Sequence, residues 1–252
     1  MKKIMPLLLM LLMVLALPAI ASAAPNVPLI PNVDLKIGGG TGSTEETSTA
    51  VQLLLILTVL SVAPAILLLT TCFTRIVVVL SFVRNALGTQ QMPPNQVLVG
   101  LALFMTFFIM SPTLAQVNEK AIQPFIAGKV TQEQALTAAA IPMKEFMAKQ
   151  TRQKDLALFL QYTKAEQPKS VQDIPLTALV PAYVISELKT AFQIGFMIFI
   201  PFLVIDMIVS SILMGMGMMM LPPVMISLPF KILLFIMVDG WYLVVKSLLL
   251  SF

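Results

Sequence analysis

The sequence predicts an all-α, membrane-associated protein built of helical hairpins, with four long apolar segments plus a small helical polar subdomain. Three observations predict it. Hydrophobic residues make up 58% of the 252 residues and charged ones only 11%, against about a quarter charged in soluble domains, and mean hydropathy is +0.93. The apolar residues fall in runs long enough, at about 1.5 Å per helical residue, to cross a hydrocarbon layer about 30 Å thick. Finally, the chain shows no alternating strand pattern, which leaves helices as the spanning form.

Taken in order, Lys2 and Lys3 precede the apolar run Ile4–Leu17, which is short for a membrane span. Ala21-Ser22-Ala23 then follows the small-x-small cleavage pattern, so residues 1–23 read as a cleavable signal peptide. Cleavage after Ala23 is favoured over cleavage after Ala24, which would leave Pro25 in the first mature position. Residues 24–49 read as a flexible linker: Pro25, Pro28 and Pro31 lead into Gly38–Gly40 and then Thr, Ser and Glu, with little to bury. Behind an export signal, the mature N-terminus starts on the periplasmic side of the inner membrane.

Residues 50–252 form the remaining domain. Its first apolar segment is Val51–Phe73, with Pro64 inside; Arg75 interrupts it, and Ile76–Val83 leads to Arg84. The second is Val97–Val117 with Pro112 near its end, the third Ala182–Leu213, the fourth Val224–Phe252. Between the second and third lies the polar subdomain, about 118–174, punctuated by Gly128 and Pro142. Thr131 followed by Gln134 predicts a capped helix start. Phe146, Met147, Leu156, Phe159, Leu160 and Tyr162 predict an amphipathic stripe.

Four straight spans would put Arg75–Asn95 on the cytoplasmic side, in keeping with the positive-inside rule. They would also put the uncharged Met214–Pro223 there, which is unlike a cytoplasmic turn. Either the topology is unusual, or the third and fourth segments form a hairpin that does not end in plain cytosol.

The third segment carries ionisable groups, which are costly in an apolar setting unless paired or hydrated. Glu187 and Lys189 are two apart, so they point about 200° apart on a helix and must find partners on other helices or subunits. Lys231 and Asp239 are the candidates from the fourth segment. Glu187, Lys189 and Lys231 read as assembly ion pairs; Asp206, an intramembrane acid, is either a structural pair or a proton relay. The tract Met214-Gly215-Met216-Gly217-Met218-Met219-Met220 ends at Pro222-Pro223, a helix-breaking tip. Methionine is flexible and polarisable, so a ring of such tips can close on itself and yield around an extended chain.

The rest excludes function classes. There is no histidine and one cysteine, Cys72, so no metal site or internal disulfide is expected. No nucleophile–base set and no phosphate-cradling glycine loop is present, so no enzyme and no cofactor are expected. The net charge of +4 is spread along the chain, with no basic block for nucleic acid.

Pro181–Pro223, continuing through Ile226-Ser227-Leu228-Pro229-Phe230-Lys231, resembles the FliP family, the export-gate subunits of the flagellar type III secretion system. Thr74–Gly88 (T-R-I-V-V-V-L-S-F-V-R-N-A-L-G) and Gln91–Phe104 (Q-M-P-P-N-Q-V-L-V-G-L-A-L-F) carry the same likeness, which extends over nearly all of Leu53–Leu250. The resemblance implies a core pore-forming subunit that passes unfolded flagellar subunits across the inner membrane at the basal body. It implies a helical multi-subunit gate, with about five copies of this chain and two smaller subunits of the FliQ and FliR type. Membrane lipid and other export-apparatus and basal-body proteins surround that gate. It maps a pore gasket onto Met218, Met219 and Met220, and assembly-critical charges onto Glu187 and Lys231. Export itself is driven elsewhere, so the chain is a conduit. The injectisome export-gate subunit shares the core phrases, and an ion-conducting subunit is the reading from the charges alone; the signal peptide and linker favour the flagellar branch.

Overall fold

The computed structural model describes residues 44–89, 91–162, 168–218 and 221–252. The stretch expected to be a signal peptide, with Ala23 and Ala24, and the expected linker up to residue 43 lie outside the described residues, as do Met219 and Met220. The chain divides after Thr47, and the architecture below is that of residues 48–252. All regular elements among the described residues are helical.

The first apolar segment is two helices, α1 (Thr44–Leu69) and α2 (Phe73–Leu87), bent by 66° at the break. Helix α1 begins within the stretch expected to be linker, taking in Thr44–Thr49. The break has a local cause in the sequence T-T-C-F-T. Thr70 Oγ1 donates to the Ile66 carbonyl at 2.9 Å, Thr71 Oγ1 to Leu68 at 3.4 Å and Thr74 Oγ1 to Leu68 at 3.5 Å. The Leu68 carbonyl, which the helix end leaves without a backbone donor, is thus met by two hydroxyls, as an apolar medium requires, while the Ile66 carbonyl also accepts from Thr70 N at 2.9 Å. Pro64, the more obvious breaker, stays inside α1. Helix α2 ends at Gly88, whose φ of +72° suits a residue without Cβ.

Helix α3 (Asn95–Val117) runs on through a π-helical turn, Asn118–Ile122, into the short α4 (Gln123–Ile126). The polar subdomain thus starts as a continuation of the second apolar segment. Its α5 (Gln132–Gln150) opens on the expected box: Thr131 Oγ1 accepts from Gln134 N at 3.3 Å, and Gln134 Oε1 accepts from Thr131 N at 3.0 Å. Pro142 does not punctuate the subdomain; it is buried inside α5, where its ring packs at the cost of one backbone bond. Helix α6 (Gln153–Tyr162) follows. Of the expected stripe, Met147 is buried, and Phe146 and Leu156 pack beside it. Tyr162 is 89% exposed, because it falls in the last turn of α6, beyond the packed face.

Helix α7 (Leu176–Gly215) has 40 residues, hence a length of about 60 Å, twice the hydrocarbon thickness. It is a spine. Its first turns hold the polar subdomain, with Leu179 and Tyr183 packed on Met147 and Ile174. Its middle packs on α2 through Gly195, where an added Cβ would lie 2.5 Å from the Phe82 ring. The core runs along α2, with Ile76, Val79, Leu80 and Val83 all fully buried against α3 and α7 side chains. The fourth segment is also bent: α8 (Pro223–Met237) and α9 (Gly240–Leu250) meet at 63°. Asp239 makes the corner at φ +50°, and Phe235 fills the space a Cβ on Gly240 would need, at 2.3 Å.

Among the described residues, two unbroken helices are long and apolar enough to cross a membrane, and two more candidates are sharply bent pairs, so the four apolar segments are not four straight helices.

Candidate functional site

Two polar clusters and one apolar tip are set on this frame. The first cluster centres on Arg75, in the first turn of α2 and 1% exposed. Its Nε donates to Glu187 Oε2 at 2.9 Å, and its Nη2 donates to Glu187 Oε1 and, at 3.0 Å, to Gln150 Oε1. Its Nη1 donates to the Ser251 carbonyl at 2.7 Å and to Ser251 Oγ at 3.1 Å. A guanidinium has five N–H donors in a fixed fork, and five acceptors meet them. The Phe252 ring lies 3.9 Å from Cζ, and Gln150 Nε2 donates to the Phe252 carbonyl at 3.2 Å. One side chain so joins α2, α5, α7 and the residues after α9.

Glu187 was expected to find its partner in Lys231 of the fourth segment or in another subunit. It is 0% exposed and bound to Arg75 within the chain. With four straight spans Arg75 would fall in a cytoplasmic loop; the bend at Thr70–Cys72 instead turns it into the core. An arginine within an apolar run was the available signal, but nothing linear pairs it with a glutamate more than a hundred residues away. Lys189 is exposed, as its offset from Glu187 requires. Neither Lys189 nor the exposed Asp239 forms an ion pair among the described residues.

The second cluster joins α7 to α8. Lys231 Nζ donates to Asp206 Oδ2 at 2.6 Å, and Ser227 Oγ donates to Asp206 Oδ1 at 2.5 Å. Lys231 is 2% exposed, whereas the Asp206 side chain keeps 28% of its surface open. The ammonium also lies beside Gly88, the C-terminal cap of α2, where a Cβ would be 3.8 Å away. The negative end of a helix dipole favours a cation there. Asp206 is thus bound by both Lys231 and Ser227.

A third, smaller set ties α6 of the polar subdomain to α7. Asp155 accepts from Ser186 Oγ at 2.7 Å and from Arg152 at 2.6 Å, and Arg152 N donates to Ser186 Oγ at 3.1 Å. The Ser186 hydrogen bond, with the Arg152 charge beside it, holds the Asp155 carboxyl below the ordinary aspartate value.

The apolar tip follows α7. Met216 caps the helix, Gly217 has φ +75°, Gly217 N donates to the Met214 carbonyl at 3.0 Å and Met218 N to the Leu213 carbonyl at 3.0 Å. That is a Schellman closure, which needs a residue tolerant of the left-handed region at Gly217. Pro222 then starts α8 with Pro223 at its first position. Met214, Met216 and Met218 are all exposed, Met218 by 48%.

Residues 56–248 match the FliP family. The chain is 69% identical over 208 residues to the flagellar biosynthetic protein FliP of Bacillus subtilis (strain 168), covering 82% of this chain and 94% of that protein. It is 54% identical over 203 residues to the protein of that name from Pectobacterium carotovorum subsp. carotovorum, covering 81% and 79%. For that of Aquifex aeolicus (strain VF5) the identity is 47% over 225 residues, covering 88% and 92%. The matched span contains Arg75, Glu187, Asp206, Lys231 and the methionine tip, and with identities of this size over most of each chain, the protein belongs to the FliP family.

Proposed function

We propose that this chain serves flagellum assembly as a core, pore-forming subunit of the flagellar protein export gate, passing unfolded flagellar subunits across the inner membrane. The observation that carries this is the α7–α8 tip. Exposed methionines sit on a closed helix end, and the two helices behind them are pinned together by Lys231, Asp206 and Ser227. A deformable apolar surface on a braced support suits a seal that yields to many different sequences. On this reading Met218, Met219 and Met220 form the gasket. The gate is a self-associated ring of this chain with two smaller subunits of the FliQ and FliR type, the mature N-terminus is periplasmic, and the chain is a conduit with no enzymatic step. The flagellar names of the relatives favour this over an injectisome gate. The Lys231 partnership of Asp206 favours a brace over a proton relay.

The burial of Glu187 changes how it supports assembly. A side chain with no exposed surface cannot touch a neighbouring subunit. Its part is to hold α2, α5, α7 and the end of α9 in one geometry, so that the protomer presents the right faces.

Replacing Met218–Met220 by small or polar residues is expected to raise ion leakage through the assembled complex. Unchanged leakage in complexes of normal size by native mass spectrometry would end the gasket reading.

A further inference from the structure

We propose that Met92, in the loop between α2 and α3, is a further sealing residue and works in the same surface as the methionine tip. The proposal rests on the gasket reading above and extends it to a segment far away in sequence.

The two loops converge on one place. The methionine tip leads directly into the first turn of α8 at Pro223. Gly88, which closes α2 from the other side, packs on those same turns: a Cβ there would lie 3.6 Å from Val224, 3.8 Å from Leu228 and 3.8 Å from Lys231 Nζ. Only three residues separate Gly88 from Met92. Lys231, in turn, is bound to Asp206 on α7, two turns before the tip. So the end of α2, the end of α7 and the start of α8 lie on one side of the molecule, and both loops emerge there.

The loop is also built to hold Met92 outward. Met92 N donates to the Thr89 carbonyl at 3.1 Å, and Thr89 Oγ1 donates to the Met92 carbonyl at 2.5 Å. Pro93 and Pro94 follow, and proline restricts both its own φ and the residue before it. Both bonds tie Met92 to Thr89, while its side chain is 64% exposed. An exposed thioether on a hydrogen-bonded turn has the same physical character as Met218, an exposed thioether on a Schellman-closed helix end. Met225, one residue after Val224 and 58% exposed, adds to the same end of the molecule.

The experiment uses the full chain in its assembled complex. In a M92C/M218C variant, oxidation is expected to form a disulfide between the two positions, within a chain or between neighbouring copies; Cys72 is fully buried and stays in place. In parallel, M92A and a Met218–Met220 triple alanine variant are compared for ion leak in cells, with complex size checked by native mass spectrometry. The proposal expects both to leak severalfold more than the parent at normal complex size. If the triple variant leaks and M92A does not, the extension is wrong and the gasket reading stands. If neither leaks, both fall. If M92A fails to assemble, M92L replaces it, which keeps the apolar volume and removes only the flexibility, and is expected to leak at intermediate level. Absence of any M92C/M218C cross-link under conditions that link cysteines at two tip positions overturns the convergence itself.

Discussion

Glu187→Gln is the most discriminating change. It keeps the shape of the side chain, one acceptor oxygen and the burial, and removes the charge that answers Arg75. Arg75 retains Gln150 and Ser251 as partners, all uncharged. A buried cation that loses its counter-charge costs about 3–5 kcal/mol. The lost charge-assisted bond, at about 1.5–3 kcal/mol, is contained in that figure. Glu187→Gln is therefore expected to destabilise the protomer by about 3–5 kcal/mol, and Arg75→Met by a similar amount, since it leaves a buried carboxylate without its partner. The double variant R75M/E187L removes both charges together and closes a cycle with Arg75→Met and Glu187→Leu, the latter expected to cost at least as much as Glu187→Gln. Well-packed apolar replacements of a buried pair are often close to neutral, so it should be no less stable than either single variant, with a coupling energy of several kcal/mol between the two sites. The full chain in mild detergent can be unfolded with sodium dodecyl sulfate. Far-UV circular dichroism would report the helices, and the fluorescence of Trp241, the only tryptophan, would report the α8–α9 corner, where it meets Phe235 edge-on at 5.4 Å. Single variants within about 0.5 kcal/mol of the parent, the range of ordinary surface changes, or an additive double variant would refute the hub.

Gly195→Ala should cost about 1–3 kcal/mol by overpacking, because its Cβ must displace the Phe82 ring; the same unfolding assay checks it, and Gly100→Ala, with open space around it, serves as control. Gly217→Ala should cost about 1 kcal/mol through its left-handed backbone alone, seen as faster amide exchange confined to the α7 end and the tip. Asp155 has a folded-state pKa below its unfolded one, so its stabilisation is complete above the ordinary aspartate value and is lost as pH falls through the depressed one. Asp155→Asn is accordingly expected to lower stability at neutral pH and flatten the acid limb of the stability profile; an acid limb unchanged from the parent would contradict this. Neutralising Lys231 should loosen α8 from α7 and shift native mass spectra from assembled complexes to single chains.

The helical class, the apolar segments and the capped start at Thr131 were all legible along the chain, because each rests on local composition or on residues three or four apart. The signal at Met214–Pro223 was legible for the same reason: glycine and proline disfavour a helix through their own local conformational limits. Pro142 and Pro64 show the limit of that rule, since both remain inside helices where tertiary packing outweighs the lost bond. The threonines at positions 70, 71 and 74 set the first bend, and nothing in hydropathy distinguishes them from ordinary small polar residues in an apolar run.

Charge pairing is where linear reading stopped. The sequence marked Glu187, Asp206 and Lys231 as groups that an apolar segment cannot leave alone, and it marked the methionine tip as more than a turn. Which charge meets which depended on the fold. Once α1 and α2 bend at Thr70–Cys72, Arg75 faces the α7 spine and takes Glu187, leaving Lys231 for Asp206 one helix further on. Burial penalties act on each residue by itself and so are written in its neighbours along the chain; a hydrogen bond needs two atoms within about 3 Å, and only the packed tertiary structure brings Arg75, Gln150, Glu187 and Ser251 that close.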